Sequence, residues 1–344
     1  RYTIDMLQFS PGHLHFEISS YCNAACQLCP RYKRNADSYW LNPLLKQEHL
    51  DTALVKSLLD HPLNQQVKVV LFCGDYGDPM LHPEILDLVG HVRSIERIKQ
   101  FHMHSNAGLA SRETWHDLGK LMNDDRLTMF FSIDGLADTN HIYRRNVRWD
   151  KVMENAEAFI SAGGNAIWKL IVFEHNKHQI DDAKRLARTM GFKDIWLQEN
   201  DGGFPIDPNL KLIKRQPPVF KRHNRTLLLA ENESRRKKVD VITCEHHMDR
   251  SLYVSASGKI WPCCWLADGV AHPDEMLRSM TELFLEEPYG SQWNDLNVHN
   301  LDDIYASDLW SQLQKDIEDR TGIYRCSQAC GRTKDQVRAV SVGL

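Results

Sequence analysis

Residues 67–105 read VKVVLFCGDYGDPMLHPEILDLVGHVRSIERIKQFHMHS, and they predict two β-strands separated by a helix. Val67–Cys73 is rich in β-branched residues and predicts the first strand, and Ile98–Met103 predicts the second. The helix is indicated by apolar residues at helical spacing: Ile85, Leu88, Val89 and Val92. Parallel neighbouring strands need such a crossover connection. The stretch therefore predicts one β-α-β unit.

The same alternation continues on both sides of this unit. Further strands are predicted at His13–Ile18, Leu127–Ile133, Ile167–Phe173 and Asp194–Gln198. Further helices are predicted at Leu54–Leu59, Arg112–Met122, Val152–Ile160, with Asp150 as its cap, and Ile180–Met190. Six strand–helix units in succession predict an α/β fold, a partial (β/α)6 TIM-like barrel. In such a barrel, chemistry lies at the carboxyl ends of the strands.

The chain of 344 residues is long enough for one large and one small domain. The barrel is predicted to span residues 1–200, and the strand–helix pattern ends there. Residues 201–240 contain glycines, prolines and a basic stretch, and we expect them to form a bridge. Residues 241–344 hold five cysteines and predict a small C-terminal α+β auxiliary domain.

The composition is that of a globular protein, with 42% hydrophobic and 26% charged residues. A net charge of −4 makes nucleic acid an unlikely partner. The sequence has no apolar run of membrane-spanning length and no apolar signal region, so no membrane association and a cytoplasmic location are expected. Nine cysteines, clustered rather than spread, favour metal ligation over a disulfide framework.

One cysteine cluster directly follows the first predicted strand. Cys22, Cys26 and Cys29 have the spacing C-x3-C-x2-C. Three thiolates on one loop can hold three irons of a [4Fe–4S] cube and leave the fourth iron open to a cofactor or substrate. Two other interpretations stay open: a structural zinc site completed by His13 or His15, and three unrelated thiols.

Together with the turns after later strands, this loop resembles the radical S-adenosylmethionine (SAM) superfamily. The resemblance covers residues 13–200 and implies that SAM binds the open iron. It also implies that residues at successive strand ends contact SAM: Gly77, Asp78, Pro79, Ser105, Asn106, Ser132, Asp134, Arg144 and Asn176. Two positions depart from the family pattern. Leu28 stands where an aromatic residue is usual, and Asp78 replaces the glutamate of the family's GGEP-like segment.

A second set of cysteines lies near the C-terminus. Cys244, Gly258 and Cys263 are similar to the C-x(9–15)-G-x4-C opening of SPASM and twitch domains in the same superfamily. Leu252–Ser255 and Lys259–Trp261 are predicted to pair around that glycine as a hairpin. The resemblance implies a twitch-type domain with one auxiliary [4Fe–4S] cluster. Its implied ligands are Cys244, Cys263, Cys326 and Cys330.

Three features of this second set leave alternatives open. Cys264 adjoins Cys263 and can substitute for it as a ligand. The closing pair is C-x3-C rather than the usual C-x2-C. Zinc can also bind four thiolates. Of the remaining residues, Cys73 is expected to be a small buried hydrophobe, whereas His102 and His104 are expected to line the barrel.

The resemblance implies a reaction class. Reductive cleavage of SAM to a 5′-deoxyadenosyl radical would be followed by hydrogen abstraction from a small-molecule or peptide substrate. An auxiliary cluster that accepts an electron favours net oxidation, such as dehydrogenation or crosslinking. An external one-electron donor, such as flavodoxin or ferredoxin, is implied. The alternatives are a redox-neutral epimerase with a cysteine hydrogen donor, and an iron–sulfur electron-transfer or redox-sensing protein.

Overall fold

The computed structural model describes residues 10–199, 206–213, 224–237, 239–271, 275–308, 312, 315 and 324–332. The chain divides into two compact units. The barrel unit comprises residues 15–61 and 67–216, and the C-terminal unit comprises residues 1–14, 62–66 and 217–344. The division at residue 216 falls inside the predicted bridge, and residues 214–223 lie outside the described part of the chain.

A parallel sheet forms the centre of the barrel unit, and only the first two residues of its first strand, His13 and Leu14, are counted with the C-terminal unit. Its strands are β1 (His13–Phe16), β4 (Val69–Phe72), β5 (Gln100–Ser105), β6 (Leu127–Ser132), β7 (Ala166–Val172) and β8 (Asp194–Glu199). They lie side by side in the order β1-β4-β5-β6-β7-β8. Each pair from β4–β5 to β7–β8 is parallel. The predicted strands and the α/β partial-barrel class are confirmed, with strand ends shifted by a few residues.

Helices connect these strands, and all of them except the short helix at Asn140–Tyr143 were predicted from apolar spacing. They are α1 (Thr52–Asp60), α2 (Ile85–Ser94), α3 (Arg112–Leu121), α4 (Asn140–Tyr143), α5 (Trp149–Ser161) and α6 (Ile180–Met190). Asp51 caps α1 by accepting a hydrogen bond from the Leu54 N–H at 2.8 Å. The predicted cap of α5 is wrong, because that helix begins after Arg148. Asp150 lies in its first turn, where a carboxylate also suits the helix dipole.

The two faces of the sheet have different surroundings. On the outer face, Phe131 packs between Trp115 of α3 and Phe159 of α5, with ring centroids 5.3 and 5.5 Å away. This apolar layer between sheet and helices is the core of the unit, and all three rings are fully buried. The inner face carries side chains such as His104 and Lys169, which are only half-buried. The alternation follows from the two-residue period of a strand.

A small three-stranded sheet in the barrel unit was not predicted. It is formed by β2 (Tyr32–Arg34), β3 (Ser38–Leu41) and β9 (Lys211–Leu212). β2 and β3 pair antiparallel, and β3 and β9 pair parallel. The buried Tyr39 hydroxyl donates to the Ala25 carbonyl at 2.9 Å. The small sheet therefore packs against the cysteine loop that precedes it.

The C-terminal unit combines short strands with short helices. Its helices are α7 (Arg225–Lys237), α8 (Glu245–Met248), α9 (Cys264–Ala271), α10 (Glu275–Thr281), α11 (Glu287–Tyr289), α12 (Leu301–Tyr305) and a last one at Tyr324–Ala329, with a π-helical turn at Glu282–Glu286. Its strands are β10 (Val241–Ile242), β11 (Ser251–Val254), β12 (Ile260–Trp261) and β13 (Gly331–Arg332). β11 and β12 pair antiparallel around Gly258, which has φ of 78°. The predicted hairpin is confirmed.

Within the described ranges, no helix is both long enough and apolar enough to span a membrane.

Candidate functional site

The first cysteine cluster lies on a short loop beyond the carboxyl end of β1. Cys26 is buried, and Cys22 and Cys29 are half-buried. Backbone hydrogen bonds hold the loop in shape: the Cys29 N–H donates to the Cys26 carbonyl at 3.2 Å, and the Ala25 N–H donates to the Arg145 carbonyl at 2.9 Å. The three thiols are thus presented by a defined backbone rather than by a free loop.

Two N–H donors approach these thiols from later strand ends. The Asn106 amide nitrogen lies 3.7 Å from the Cys22 sulfur, and Arg144 Nη1 lies 3.8 Å from the Cys26 sulfur. Burial raises the pKa of Cys22 to about 12 and also raises the pKa values of Cys26 and Cys29. The thiols therefore keep their protons until a metal supplies positive charge, so metal binding must release protons.

The donor set fits an iron–sulfur cube better than a single ion. Across the described ranges, no three His, Cys, Asp or Glu side chains are grouped as ligands of one metal ion. A cube binds each thiolate through a different iron, so its ligands need not converge on one point. The N–H donors beside Cys22 and Cys26 are suited to stabilise the negative charge of cluster-bound thiolates.

The glycine turn after β4 packs directly against the chain that enters the cysteine loop. The Asp78 N–H donates to the Tyr21 carbonyl at 2.8 Å. A Cβ atom added at Gly77 would lie 1.7 Å from the Ser19 carbonyl oxygen, so only glycine permits this approach. The buried Glu17 carboxylate accepts the N–H groups of Tyr76 at 2.7 Å and Gly77 at 3.1 Å. Together these contacts fix the turn against the cysteine loop.

Asp78 organises the neighbouring turn through four hydrogen bonds. One carboxylate oxygen accepts from the Ser105 hydroxyl at 2.8 Å and the Met80 N–H at 3.0 Å. The other accepts from the Asn106 backbone N–H at 2.8 Å and from its side-chain amide at 2.7 Å. Burial raises the pKa of Asp78, and these donors oppose that shift. All four acceptor positions of the carboxylate are engaged.

An ion pair connects the next two strand ends to the loop. Arg144 Nε donates to a carboxylate oxygen of Asp134 at 2.6 Å, and Asp134 is fully buried. The other Asp134 oxygen accepts the Ile171 N–H at 2.6 Å. The pair therefore holds the Arg144 guanidinium beside Cys26, with its charge balanced by a carboxylate.

The remaining predicted SAM contacts have different surroundings. The Asn176 side chain is buried, and its amide forms hydrogen bonds with backbone groups. It accepts from the Phe173 N–H at 2.8 Å and donates to the carbonyls of Asp134 and Ile171 at 3.0 and 2.9 Å. Pro79 is buried at the start of a 3-10 turn. Ser132 is half-buried at the end of β6, beside Lys169 in the sheet register.

Two residues that the sequence did not single out shape this site. Glu17 holds the glycine turn, as described above. The buried Arg31 donates to the carbonyls of Ser20 and Tyr76, the latter at 2.8 Å. A glutamate inside an apolar predicted strand was the one available signal for Glu17, because a buried carboxylate needs donors.

The C-terminal cysteines are brought together by the β10–β13 pairing, in which Ile242 lies opposite Gly331. A hydrogen bond with Cys244, burial, and the neighbouring Cys326 and Cys263 raise the pKa of Cys330. Cys263 is buried just before α9. Cys264, which begins α9, is half-buried and packs on the same apolar cluster. The other three predicted ligands thus all influence the charge of Cys330.

Comparison with known proteins places the barrel unit in a family. The sequence model of the radical SAM superfamily matches residues 16–187. This chain belongs to the radical SAM superfamily. Membership implies a [4Fe–4S] cluster and SAM as cofactors.

Individual relatives are more distant. Over 130 residues, the chain is 25% identical to the tungsten-containing aldehyde ferredoxin oxidoreductase cofactor-modifying protein of Pyrococcus furiosus, covering 38% of this chain and 33% of that protein. SuiB of Streptococcus suis, crystallised with its precursor peptide SuiA, is 16% identical with a TM-score of 0.53, covering 87% of this chain and 65% of SuiB. AdoMet-bound anSMEcpe is 13% identical with a TM-score of 0.51, covering 93% of this chain and 89% of anSMEcpe. These two structures share the fold with this superfamily member.

Proposed function

We propose that this protein is an enzyme that cleaves SAM reductively and abstracts a hydrogen atom from a small-molecule or peptide substrate, with net oxidation assisted by an auxiliary cluster. The proposal rests on the arrangement of the cysteine loop that follows β1. Three thiols share one ordered loop, and Asn106 and Arg144 place N–H donors beside two of them. Family membership supports the same conclusion.

The chain's residues have distinct proposed roles in this reaction. Cys22, Cys26 and Cys29 would hold a [4Fe–4S] cluster, and the turns at Gly77–Pro79 and Ser105–Asn106, with Ser132, Asp134, Arg144 and Asn176, would form the SAM site. When bound, these cofactors supply a 5′-deoxyadenosyl radical that takes a hydrogen atom from a carbon of the substrate. Asp78 positions the Ser105–Asn106 turn, and Arg144 balances negative charge beside Cys26.

The C-terminal unit would hold the second cluster. Cys244, Cys263, Cys326 and Cys330 supply four thiols, the number a closed [4Fe–4S] cluster needs. Removal of one hydrogen atom from a substrate leaves a radical, and loss of one further electron and one proton gives an oxidised product. A second cluster is a suitable acceptor for that electron. A peptide is the substrate seen with SuiB, and either a peptide or a small molecule fits the proposal here.

The test measures iron and SAM cleavage in anaerobically reconstituted protein. We expect about eight irons per chain, in two cubes of four, and slow formation of 5′-deoxyadenosine after dithionite reduction. Replacing Cys22, Cys26 and Cys29 together with alanine should remove about half of the iron and all SAM cleavage. Stoichiometric zinc in place of iron, or SAM cleavage that survives this triple replacement, would refute the assignment.

A redox-neutral epimerase is a second candidate, and Cys73 favours it. Cys73 follows β4 and is half-buried, and burial raises the pKa of its thiol to about 12. A protonated thiol can donate a hydrogen atom to a substrate radical and become a thiyl radical, which an external one-electron donor and a proton return to the thiol. In deuterated water, an epimerase would give a product with solvent deuterium at the reacting carbon. Its Cys73→Ala variant would lose turnover but keep its iron. An oxidative enzyme would do neither.

A further inference from the structure

Lys169 lies on the inner face of the sheet, close to the site described above. In the sheet register it lies between Ser132 of β6 and Trp196 of β8. Its ammonium nitrogen lies 5.1 Å from the centre of the Trp196 ring, a cation–π contact. Lys169 is half-buried, and Trp196 is half-exposed. A positive charge is thus held on the inner face, opposite the layer in which Phe131 packs against α3 and α5.

Among the residues that the structure describes, no anion is paired with Lys169. Within the described segments of the chain, its ammonium group has no ion pair and no hydrogen bond, and the ring of Trp196 is its direct contact. Lys193, by comparison, binds Asp125 at 3.0 Å. Burial lowers the pKa of Lys169. A partly desolvated ammonium without a counter-ion is unfavourable, and an anionic ligand would relieve that cost.

The surroundings of Lys169 add hydrogen-bonding and apolar surface. His104 stacks on Phe130 with centroids 4.5 Å apart, and Phe130 meets Trp196 edge-on at 5.8 Å. Burial and the charge of Lys169 lower the pKa of His104 to about 3, so its imidazole is neutral near pH 7. A neutral imidazole can donate an N–H to an anionic oxygen. Asp134, a buried acid whose charge influences Lys169, is already paired with Arg144.

We propose that Lys169 binds an anionic oxygen group of the substrate, a carboxylate or a phosphate, on the inner face of the barrel unit. His104 contributes a hydrogen bond, and the rings of Phe130 and Trp196 form an apolar wall for the rest of the molecule. The inference rests on the proposed function, since the anion is taken to belong to the molecule that reacts. It adds the class of substrate: an acid rather than a neutral carbohydrate.

The test measures how fast Lys169 reacts with a neutral N-hydroxysuccinimide ester. The reconstituted full-length protein is labelled at constant ionic strength, first without SAM and then with SAM present, and the anions are added to the sample that contains SAM. Mass spectrometry reports acylation of each lysine. The probes are acetate, inorganic phosphate and neutral acetamide, and Lys193 is the reference in the same sample. At a probe concentration about ten times its Kd, acylation of Lys169 should slow about tenfold, while Lys193 and the acetamide sample stay unchanged.

Each outcome decides the proposal. Stronger protection by acetate indicates a carboxylate substrate, and stronger protection by phosphate indicates a phosphate ester. Equal rates with and without both anions overturn the inference. Full protection by SAM alone also overturns it, because Lys169 would then belong to the cofactor site. The same wild-type sample is assayed for 5′-deoxyadenosine, so anion protection without SAM cleavage refutes the proposed function, whereas cleavage without protection refutes only the anion site.

Discussion

Replacing Gly77 with alanine should displace the cysteine loop more than the removal of any one side-chain contact in the glycine turn after β4. The added Cβ would lie 1.7 Å from the Ser19 carbonyl oxygen, 2.6 Å from its carbonyl carbon and 2.7 Å from the Ser20 Cα. Normal contacts between such atoms are about 3.5 Å. All three neighbours are backbone atoms, so no side-chain rotation can relieve the overlap. The glycine turn and the Ser19–Ser20 segment must separate.

The magnitude follows from that separation. Overpacking costs about 1–3 kcal/mol where side chains can adjust, and a backbone–backbone overlap belongs at the upper end. The same movement lengthens the hydrogen bond from the Asp78 N–H to the Tyr21 carbonyl, now 2.8 Å. Losing such a bond costs about 1 kcal/mol more. We therefore expect a destabilisation of about 3–4 kcal/mol, with the Cys22 end of the loop displaced.

The assay compares Gly77→Ala with Gly90→Ala. Gly90 lies in α2, and a Cβ there would meet no atom within 4 Å. Alanine should stabilise that helix by about 0.5–1 kcal/mol. Gly77→Ala should lower the melting temperature, lose about half of the iron and lose SAM cleavage, whereas Gly90→Ala should keep all three. Full iron content and wild-type 5′-deoxyadenosine formation in Gly77→Ala would refute the reasoning.

Three further changes test other parts of the structure. Asp78→Asn keeps the shape of the side chain but replaces one acceptor oxygen with an NH2 group, which then faces other N–H and O–H donors. The free energy of unfolding should therefore fall by about 2–4 kcal/mol. An unchanged melting temperature would contradict the hydrogen-bond assignment. Cys263→Ala should lose about four irons and Cys264→Ala none, and equal iron in the two variants would remove Cys263 from the ligand set. The lowered pKa of His104, about 3 against 6.5, means that the unfolded chain takes up the proton first, so wild-type stability falls as the pH drops from 6.5 towards 3. His104→Gln should lose less stability than the wild type over that pH range. If the melting temperatures of the two proteins fall equally with pH, the lowered pKa of His104 is contradicted.

The sequence predicted the elements whose signals are local. The six strands of the parallel sheet were recognisable from short apolar runs, and the bounds of α6 at Ile180–Met190 agree with the prediction. The β11–β12 hairpin followed from the position of Gly258. These features depend on residues within a few positions of one another, which is the range that periodicity and turn chemistry report.

The missed features depend on contacts between distant parts of the chain. β9 has two residues and pairs with β3 from a position far along the sequence, so no periodicity could identify it. Glu17 binds the Tyr76 N–H, and Arg31 binds the Tyr76 carbonyl. Neither hydrogen-bond partner can be predicted from the local sequence, because the partners depend on which loops meet at the strand ends.

One series of hydrogen bonds explains how an aspartate at position 78, where the family pattern has glutamate, is compatible with the rest of the site. Glu17 holds the Gly77 N–H, the Asp78 carboxylate holds Ser105 and Asn106, and the Asn106 amide lies beside the Cys22 sulfur. A glutamate at position 78 would carry its carboxylate one methylene further from its own backbone. The shorter aspartate reaches the Met80 N–H of its own turn as well as the next strand end. Its charge therefore stabilises the turn that would meet SAM, and the cysteine loop is positioned by backbone contacts that tolerate this exchange.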